Sequence, residues 1–286
     1  MPRTLYEMYD RILEAVPPQQ RLVVRSALHW LAFSVRPLLL EELAEAAAID
    51  PSQPKFDLQS AGLISKEQIV NICGVLVSVT VGKGGQLRWL GDKPQVEKRS
   101  LSYYFDRSFT LVSLSHFSVK EYITSKHLRE VSMRFFHTSE RLAHSYLAQS
   151  CLLYLLSVNG GEVAFEISFD EYHLFTYVSQ HWMQHWQRAG HGDDTGHPAR
   201  TILGGFLTMN PDQSQGYANW LNTWNPRALW GLSIYLTWPR RANLTVASLG
   251  KKPWQPLYWA AVLGDLPLVR SLVESGADIH AHAPDT

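Results

Sequence analysis

Two histidines, His181 and His185, stand four residues apart, which is the spacing that places two imidazoles on one face of a helix. A zinc protease with this spacing needs a glutamate directly after the first histidine, and this sequence has Trp182 there. A structural zinc site would need further ligands, for which His173 and His191 are the available candidates. We therefore expect ordinary helix packing at these histidines and no metal.

Nucleotide hydrolysis would need a phosphate-binding loop, but the sequence contains no Gly-x-x-x-x-Gly-Lys-Ser/Thr. The cluster Gly82-Lys83-Gly84-Gly85 can neither wrap a phosphate nor begin a helix with a hydroxyl for magnesium. Ser115 and His116 are only sequence neighbours, and no Gly-x-Ser-x-Gly elbow is present, so a hydrolase has little support. We predict that the chain is not an enzyme, binds no cofactor and does not hydrolyse ATP on its own.

The composition is that of a balanced globular chain. Among 286 residues, 26 are Lys or Arg and 26 are Asp or Glu, so no net field attracts nucleic acid or acidic lipid. Cys73 and Cys151 are too few for a disulfide scaffold or a zinc site. The N-terminus lacks a secretory signal, and the longest apolar run, Cys151 to Leu156, is too short to span a bilayer. We expect a cytoplasmic protein that does not enter membranes.

The first 130 residues combine helical and strand periodicity. Apolar spacing predicts helices over residues 5–16, 19–35, 38–48, 65–74 and 119–128, the last with Ser118 and Glu121 as a capping box. The β-branched runs predict strands over 75–81 and 110–114, joined by a glycine-rich loop. The fold class is therefore mainly α, with a winged-helix pattern whose wing is the 82–108 loop.

The following segment predicts a helical spacer. Helices are expected over 139–156 and 170–188, followed by two or three short helices that end near Pro239. Four tryptophans lie close together there, at Trp220, Trp224, Trp230 and Trp238. Such a cluster serves either core packing or a stacking and partner-binding surface.

The residues from Trp254 to Thr286 resemble one ankyrin repeat. The repeat's usual Thr-Pro-Leu-His appears as Gln255-Pro256-Leu257-Tyr258, followed by Ala260-Ala261, Gly264-Asp265, paired apolar residues, and Gly276-Ala277-Asp278-Ile279. We expect Gly264 to turn the chain between two helices and Gly276 to take a left-handed conformation after the second. The residues expected to form the repeat and its protein-binding surface are Leu257, Tyr258, Ala261, Leu268, Leu272, Gly276 and Asp278. Of the repeat's apolar residues, we expect Leu257, Ala261, Leu268, Val269 and Leu272 to pack on the tryptophan-rich helices.

Most of the chain resembles the region that follows the NACHT module in fungal NACHT–ankyrin proteins, which are NLR-like signal-transducing ATPases of the STAND class. The resemblance rests on Leu5 to Tyr9, Leu28 to Leu31, Arg36 to Leu43, Leu114 to Tyr122, and the downstream His144, Cys151 to Leu155, Tyr177, His181-Trp182 and His185-Trp186. Leu39 departs from the pattern, since the family often has a capping threonine there.

The resemblance implies four regions. They are a linker helix at 1–18 after a missing NACHT module, a winged-helix domain of the GPI inositol-deacylase type at 19–130, a helical spacer at 139–250, and a single ankyrin repeat at 251–286.

The family comparison also implies a role for one histidine. In related receptors a winged-helix histidine contacts the β-phosphate of ADP, and the matching residue is His116. That contact requires a NACHT module, which a related chain would supply as partner; the protein partners themselves are not specified by the sequence. Without such a contact, His116 would simply pack at a strand end or cap the helix that begins near Ser118.

Two alternatives remain from other classes of protein. One is a stand-alone adaptor or scaffold. The other is a DNA-binding winged helix, because the wing carries several Lys and Arg residues. Acidic residues interrupt that run, and residues 67–72 of the expected recognition helix are not basic, so we do not expect nucleic acid as a partner.

Overall fold

The computed structural model describes residues 3–58, 65–83, 108–131, 133–158, 172–190, 198–207, 217, 220 and 256–280. Contacts divide the chain into two compact units. The first contains Met1–Ala48 and Leu63–Ser139, and the second contains Ile49–Gly62 and Glu140–Thr286. The protein is mainly helical with one small sheet. None of the helices in the described ranges is long and apolar enough to cross a bilayer.

Four helices precede the hairpin strands of the first unit: α1 (Arg3–Glu14), α2 (Arg21–Phe33), α3 (Leu40–Ala48) and α4 (Lys66–Cys73). Helix α2 is the central one, because most of its side chains are buried and it packs on both α3 and α4. Helix α4 begins with a complete capping box, in which Ser65 and Gln68 each accept the other's backbone N–H. These helices form where the apolar spacing predicts them, within a few residues.

The sheet has three antiparallel strands in the order β1-β3-β2, with bounds β1 (Leu38–Leu39), β2 (Val77–Lys83) and β3 (Ser108–Leu114). The prediction that residues 38 and 39 begin a helix was wrong, because both pair with β3, Leu38 opposite Val112 and Leu39 opposite Leu111. Glu42 accepts the backbone N–H of Leu39 at 2.9 Å, so the helix begins only after Leu39 and the two residues before the helix are left to pair with β3. Strand β2 starts two residues later than expected, after a 3₁₀ turn at Gly74–Leu76.

Two short helices, α5 (Phe117–Ile123) and α6 (Lys126–Glu130), follow β3. The prediction of one helix from residue 119, capped by Ser118 and Glu121, was wrong. Helix α5 begins at Phe117 with His116 as its N-cap, and Ser125 caps a separate second helix by accepting the backbone N–H of Leu128. The residues that cap these helices are therefore His116 and Ser125 rather than Ser118.

The second unit is built on α7 (Glu140–Ser157) and α8 (Phe175–Ala189), which pack against each other along their length. Helix α8 starts five residues after the predicted position and ends in left-handed Gly190. Arg141 reaches this end from α7, donating from Nε to the Ala189 carbonyl at 3.0 Å. Helix α9 (Pro198–Leu207) packs on α7.

The last described segment is a helix pair, α10 (Pro256–Val262) and α11 (Leu266–Glu274). Gly276 has φ +93° after the second helix, as expected, and Gly264, which was expected to turn the chain between the helices, also has a positive φ of +67°. Asp265 caps α11 by accepting the Leu268 N–H at 3.1 Å. Several predicted features lie outside the described residues, among them His191, Trp224, Trp230, Trp238, Gln255, the loop at 84–107 and residues 281–286.

Candidate functional site

His116 lies in the first unit, at the junction where β3 ends and α5 begins. Its backbone is extended, and its Nδ1 accepts the backbone N–H of Ser118 at 3.2 Å. A ring nitrogen that accepts a hydrogen bond carries no proton, so the neutral imidazole bears its proton on Nε2. The N-cap thus fixes the tautomer of His116.

A chain of hydroxyl groups supports this tautomer. The Ser118 Oγ lies 2.7 Å from His116 Nδ1, and the Tyr9 hydroxyl lies 2.8 Å from the same Oγ. Ser118 and Tyr9 are both buried, whereas His116 is exposed. With Tyr9 donating to Ser118 and Ser118 donating to Nδ1, every hydroxyl hydrogen in the chain is used and the outer Nε2–H is a donor.

The outward side of this junction is an exposed donor beside an exposed aromatic ring. Phe117 is 66% exposed, and its ring centroid lies 4.4 Å from that of His116. Within the described part of the chain, His116 Nε2 has no hydrogen-bond partner. Chemically, this arrangement can donate one hydrogen bond to an anionic or carbonyl oxygen and offer a flat apolar contact next to it.

The support from Tyr9 gives a direct test of the site's construction. Tyr9→Phe removes the hydroxyl that bonds to Ser118, and we expect the free energy of unfolding to fall by about 0.5–1.5 kcal/mol. Urea denaturation followed by circular dichroism measures this change. Tyr6→Phe on the same helix is the matched control, because in the described residues the Tyr6 hydroxyl makes no hydrogen bond. Equal effects from the two variants would contradict the role given to Tyr9.

The second candidate surface is the helix pair. Its buried face differs from the predicted one, because α10 is rotated about its axis. Along α10 and directly after it, the buried residues are Pro256, Trp259, Ala260 and Leu263, which follow three- and four-residue steps. Ala261, which was expected to pack on the spacer, is exposed, so that prediction was wrong. Leu257, Leu268, Val269 and Leu272 are only half-buried.

Trp259 sets this rotation of α10. Its ring lies against Trp220, with centroids 5.0 Å apart and planes at 71°. Trp220 is fully buried, contacts Trp182 and Phe206, and donates from Nε1 to the Ser179 carbonyl at 3.0 Å. We call Trp182, Phe206, Tyr217 and Trp220 the aromatic cluster, on which Trp259 packs. Trp220 is therefore a core residue, which is one of the two roles predicted for the tryptophan-rich segment.

A buried ion pair joins the helix pair to α9. Arg200 Nη1 lies 2.9 Å from Asp265 Oδ1, and both side chains are 10% exposed or less. The same carboxylate oxygen caps α11. Trp259 could have been found from its helical spacing to Pro256 and Leu263, whereas no local pattern indicates the pairing of Arg200 with Asp265 across 65 positions.

The outer side of the helix pair is apolar and exposed. No residue of α11 is buried, and the exposed large apolar side chains include Tyr258, Leu266, Val273 and Ile279, with exposures from 40% to 63%. Asp278 is exposed at the end of the pair, where its carboxylate accepts the His280 backbone N–H at 2.9 Å. The predicted residues Tyr258, Gly276 and Asp278 thus all lie on the accessible side.

The histidines at helical spacing serve packing in the structure. His185 is buried and bonds to His144 and Tyr177, and the ring of His181 contacts that of Tyr177 at 4.8 Å. Over the described ranges, no three His, Cys, Asp or Glu side chains converge as a metal site requires. Burial raises the pKa of the Cys73 thiol to about 12 and that of Cys151 well above its ordinary value, so both are poor nucleophiles.

Comparisons with known proteins identify one remote relative. No protein-family model matches the chain, and no solved structure matches it significantly. Azaphilone pigments biosynthesis cluster protein L of Monascus ruber is 26% identical over 196 residues, which cover 67% of this chain. The matched segment is 37% of that protein's length, so the chain spans little more than a third of it.

Proposed function

We propose that this chain is a non-catalytic regulatory and protein-interaction part of a NACHT–ankyrin signal-transducing ATPase. In this function the first unit is a winged-helix domain that senses the nucleotide of a NACHT module. The helix pair is an ankyrin repeat that binds a protein partner. The protein acts in the cytoplasm, as the family resemblance implies.

The observation that carries this proposal is the geometry at His116. The Leu-x-His-x-Ser-x-x-Glu pattern that resembles NACHT receptors supplies His116, and the N-cap and the hydroxyl chain hold its Nε2–H outward. A fixed, exposed donor suits a contact to a nucleotide phosphate, because the ionised phosphate oxygens of ADP only accept hydrogen bonds. The exposed ring distinguishes His116 from a histidine packed at a strand end, and its capping role engages Nδ1 while leaving the Nε2–H available for a phosphate oxygen.

The topology of the first unit supports the winged-helix assignment. Its elements run α2, β1, α3, α4, β2 and β3, and the sheet order is β1-β3-β2. This is the element order of a winged helix, in which α4 takes the place of the recognition helix. The long connection between β2 and β3 takes the place of the wing.

The helix pair supports the protein-interaction part of the proposal. Its inner face packs on the aromatic cluster, while the side chains of α11 stay accessible. Repeat proteins stack their units through such faces and use accessible surfaces for recognition. The pigment-cluster relative is longer than this chain, and its name specifies no reaction, so the non-catalytic role rests on the residues alone.

The nucleotide-sensing role is tested with the purified chain and the NACHT module of a related fungal protein. We expect the chain to slow the release of fluorescent ADP from that module, and His116→Ala to speed the release again by about ten- to a hundredfold. This range corresponds to a hydrogen bond to a charged group, which contributes about 1.5–3 kcal/mol. Stopped-flow fluorescence measures the release rate.

The control is His280→Ala, which removes an exposed histidine of the second unit. It should leave the release rate unchanged. If the chain does not affect release, or if both variants act alike, the nucleotide-sensing role is wrong and the stand-alone adaptor becomes the better description. ATP turnover by the chain alone would contradict the non-catalytic assignment.

The surface of α4 gives little support to the DNA-binding alternative. Lys66 is engaged by Glu41, with Nζ and Oε1 2.6 Å apart. Glu67 is exposed, and hydrogen bonds from its own backbone N–H and from Ser65 lower the pKa of its carboxyl, so it is negative at neutral pH. A recognition helix with one neutralised lysine and an ionised glutamate in its first turn would repel a phosphate backbone. We expect no salt-dependent shift of duplex DNA in gel electrophoresis.

A further inference from the structure

Two buried histidines face each other across the main helix–helix contact of the second unit. His144 on α7 and His185 on α8 are at most 1% exposed, and their Nδ1 atoms are 2.8 Å apart. The Nε2 of His185 lies 2.9 Å from the Tyr177 hydroxyl. The Nε2 of His144 points toward Glu140, whose Oε1 lies 3.9 Å away.

The distance between the two Nδ1 atoms allows only one proton between them. A hydrogen bond at this separation needs one ring to donate and the other to accept, so one Nδ1 is protonated and the other is not. If both rings were charged, two N–H groups would collide and two buried positive charges would repel each other. The contact therefore tolerates at most one imidazolium.

We propose that this histidine pair is an acid-sensitive lock on the α7–α8 contact. At neutral pH the shared proton holds the two helices together. A second positive charge on the pair opens the contact. The first positive charge is favoured on His144, because the Glu140 carboxylate lies on that side of the pair. His185 has the neutral Tyr177 hydroxyl on its side instead.

Basic side chains near the histidine pair oppose protonation of His185 while the helices are in contact. The titratable and charged groups on the packed helices are Glu140 and Arg141 on α7, His181 and Arg188 on α8, and Arg200 on α9. Arg141 is bound to the end of α8, and Arg200 is paired with Asp265. Burial lowers the pKa of His185 well below its ordinary value, and His144, His181 and Arg188 lower it further.

The direction of the pH dependence follows from this burial. A histidine that is neutral when the helices are closed and free to take a proton when they open favours the open state in acid. Its stabilising contribution is complete above about pH 6.5, the ordinary histidine value, and is lost progressively as the pH falls below it. For one such histidine, the opening equilibrium constant rises about tenfold between pH 7.5 and 5.5.

Separation of α7 and α8 would also disturb the packing beneath the helix pair, which carries the candidate binding surface. Helix α8 also carries Trp182 and the Ser179 carbonyl, and both hold Trp220. Trp220 in turn holds Trp259 of the helix pair. The lock therefore regulates the support of the helix pair, and this consequence rests on the proposed function, whereas the lock itself can be tested without any partner.

Hydrogen exchange of the full chain, resolved by peptide and corrected for the intrinsic effect of pH, tests the lock. We expect the opening equilibrium constant of α7 and α8 to rise about tenfold from pH 7.5 to 5.5. His185→Asn keeps an amide near the Nδ1 position but cannot titrate, and it should remove most of this rise. The control His280→Asn, at an exposed histidine in the same unit, should retain it. The comparison is made within α7 and α8, because buried His29 in the first unit, whose pKa is lowered to about 3, adds its own acid sensitivity there.

A rise that is absent in the wild-type chain, or equal in the two variants, would overturn the proposal. If His185→Asn does not fold, nitrogen-15 NMR of the histidine rings in the wild-type chain decides the question. The proposal requires that one buried imidazole stay neutral at every pH at which α7 and α8 remain protected. Protonation of both His144 and His185 while the helices stay closed would exclude the lock. In neither case does the result bear on ADP release, so the lock and the proposed function fail independently.

Discussion

Replacing Glu42 by alanine is expected to lower the free energy of unfolding of the first unit by about 3–5 kcal/mol, because it leaves a buried guanidinium without its main counter-charge. Arg36 donates hydrogen bonds from Nη1 and Nη2 to the two oxygens of this carboxylate, at 2.7 and 2.5 Å. The side chains are 10% and 1% exposed, so water cannot replace the lost partner. Glu42 also accepts the backbone N–H of Leu39 at 2.9 Å and thereby closes the start of α3.

The neighbouring glutamate provides the control. Glu41 pairs with Lys66 at 2.6 Å, but these side chains are 25% and 47% exposed. Glu41→Ala should therefore cost no more than about 1 kcal/mol. Urea denaturation of both variants at neutral pH measures the difference. Similar midpoints for the two alanine variants would show that the buried pair contributes no more than a surface pair.

Glu42 also explains how the first unit tolerates Leu39. A threonine there would complete a capping box with Glu42, as the family resemblance leads one to expect. In this chain Leu39 keeps the half in which Glu42 accepts its backbone N–H, and its own side chain is buried in strand β1. Leu39 therefore lacks the side-chain hydrogen bond that a threonine would make to the start of the helix. It contributes buried apolar surface in β1 instead.

Local sequence signals predicted much of the secondary structure. Helical apolar spacing located α2, α4 and α7 within about two residues at each end, Gly264 lies at the predicted turn, and Gly276 has the predicted left-handed φ. These features depend on residues three to five positions apart, which a single sequence displays. The helix break before Ser125 was missed because the apolar spacing continues through it, from Val119 and Tyr122 to Leu128.

The contacts that build the candidate sites could not be predicted in the same way. Tyr9 and Ser118 are 109 positions apart, and His144 and His185 are 41 apart. Periodicity predicts which face of a helix is buried, but it does not identify the side chain that meets that face. The rotation of α10 illustrates the limit. Its apolar residues permit two neighbouring phases, and Trp220, 39 positions before Trp259, selects one of them.

Replacing Trp259 by alanine is expected to release the helix pair from the aromatic cluster. Trp259 is 3% exposed and its ring contacts that of Trp220, so its removal opens a cavity beside a fully buried side chain. Truncation of a buried tryptophan costs about 3–5 kcal/mol, which exceeds what two short helices can recover from their own contacts. We expect amide protection in residues 256–280 to be lost while protection in α7 and α8 persists.

Tyr258→Ala is the matched control for this loss, because it removes the adjacent aromatic ring from a side chain that is 40% exposed. We expect it to change stability by less than about 1 kcal/mol and to leave the protection of α10 and α11 intact. Peptide-resolved hydrogen exchange distinguishes the two variants. If α10 and α11 stayed protected in Trp259→Ala, the helix pair would be stable without the cluster. The contact of Trp259 with Trp220 would then not be what stabilises α10 and α11.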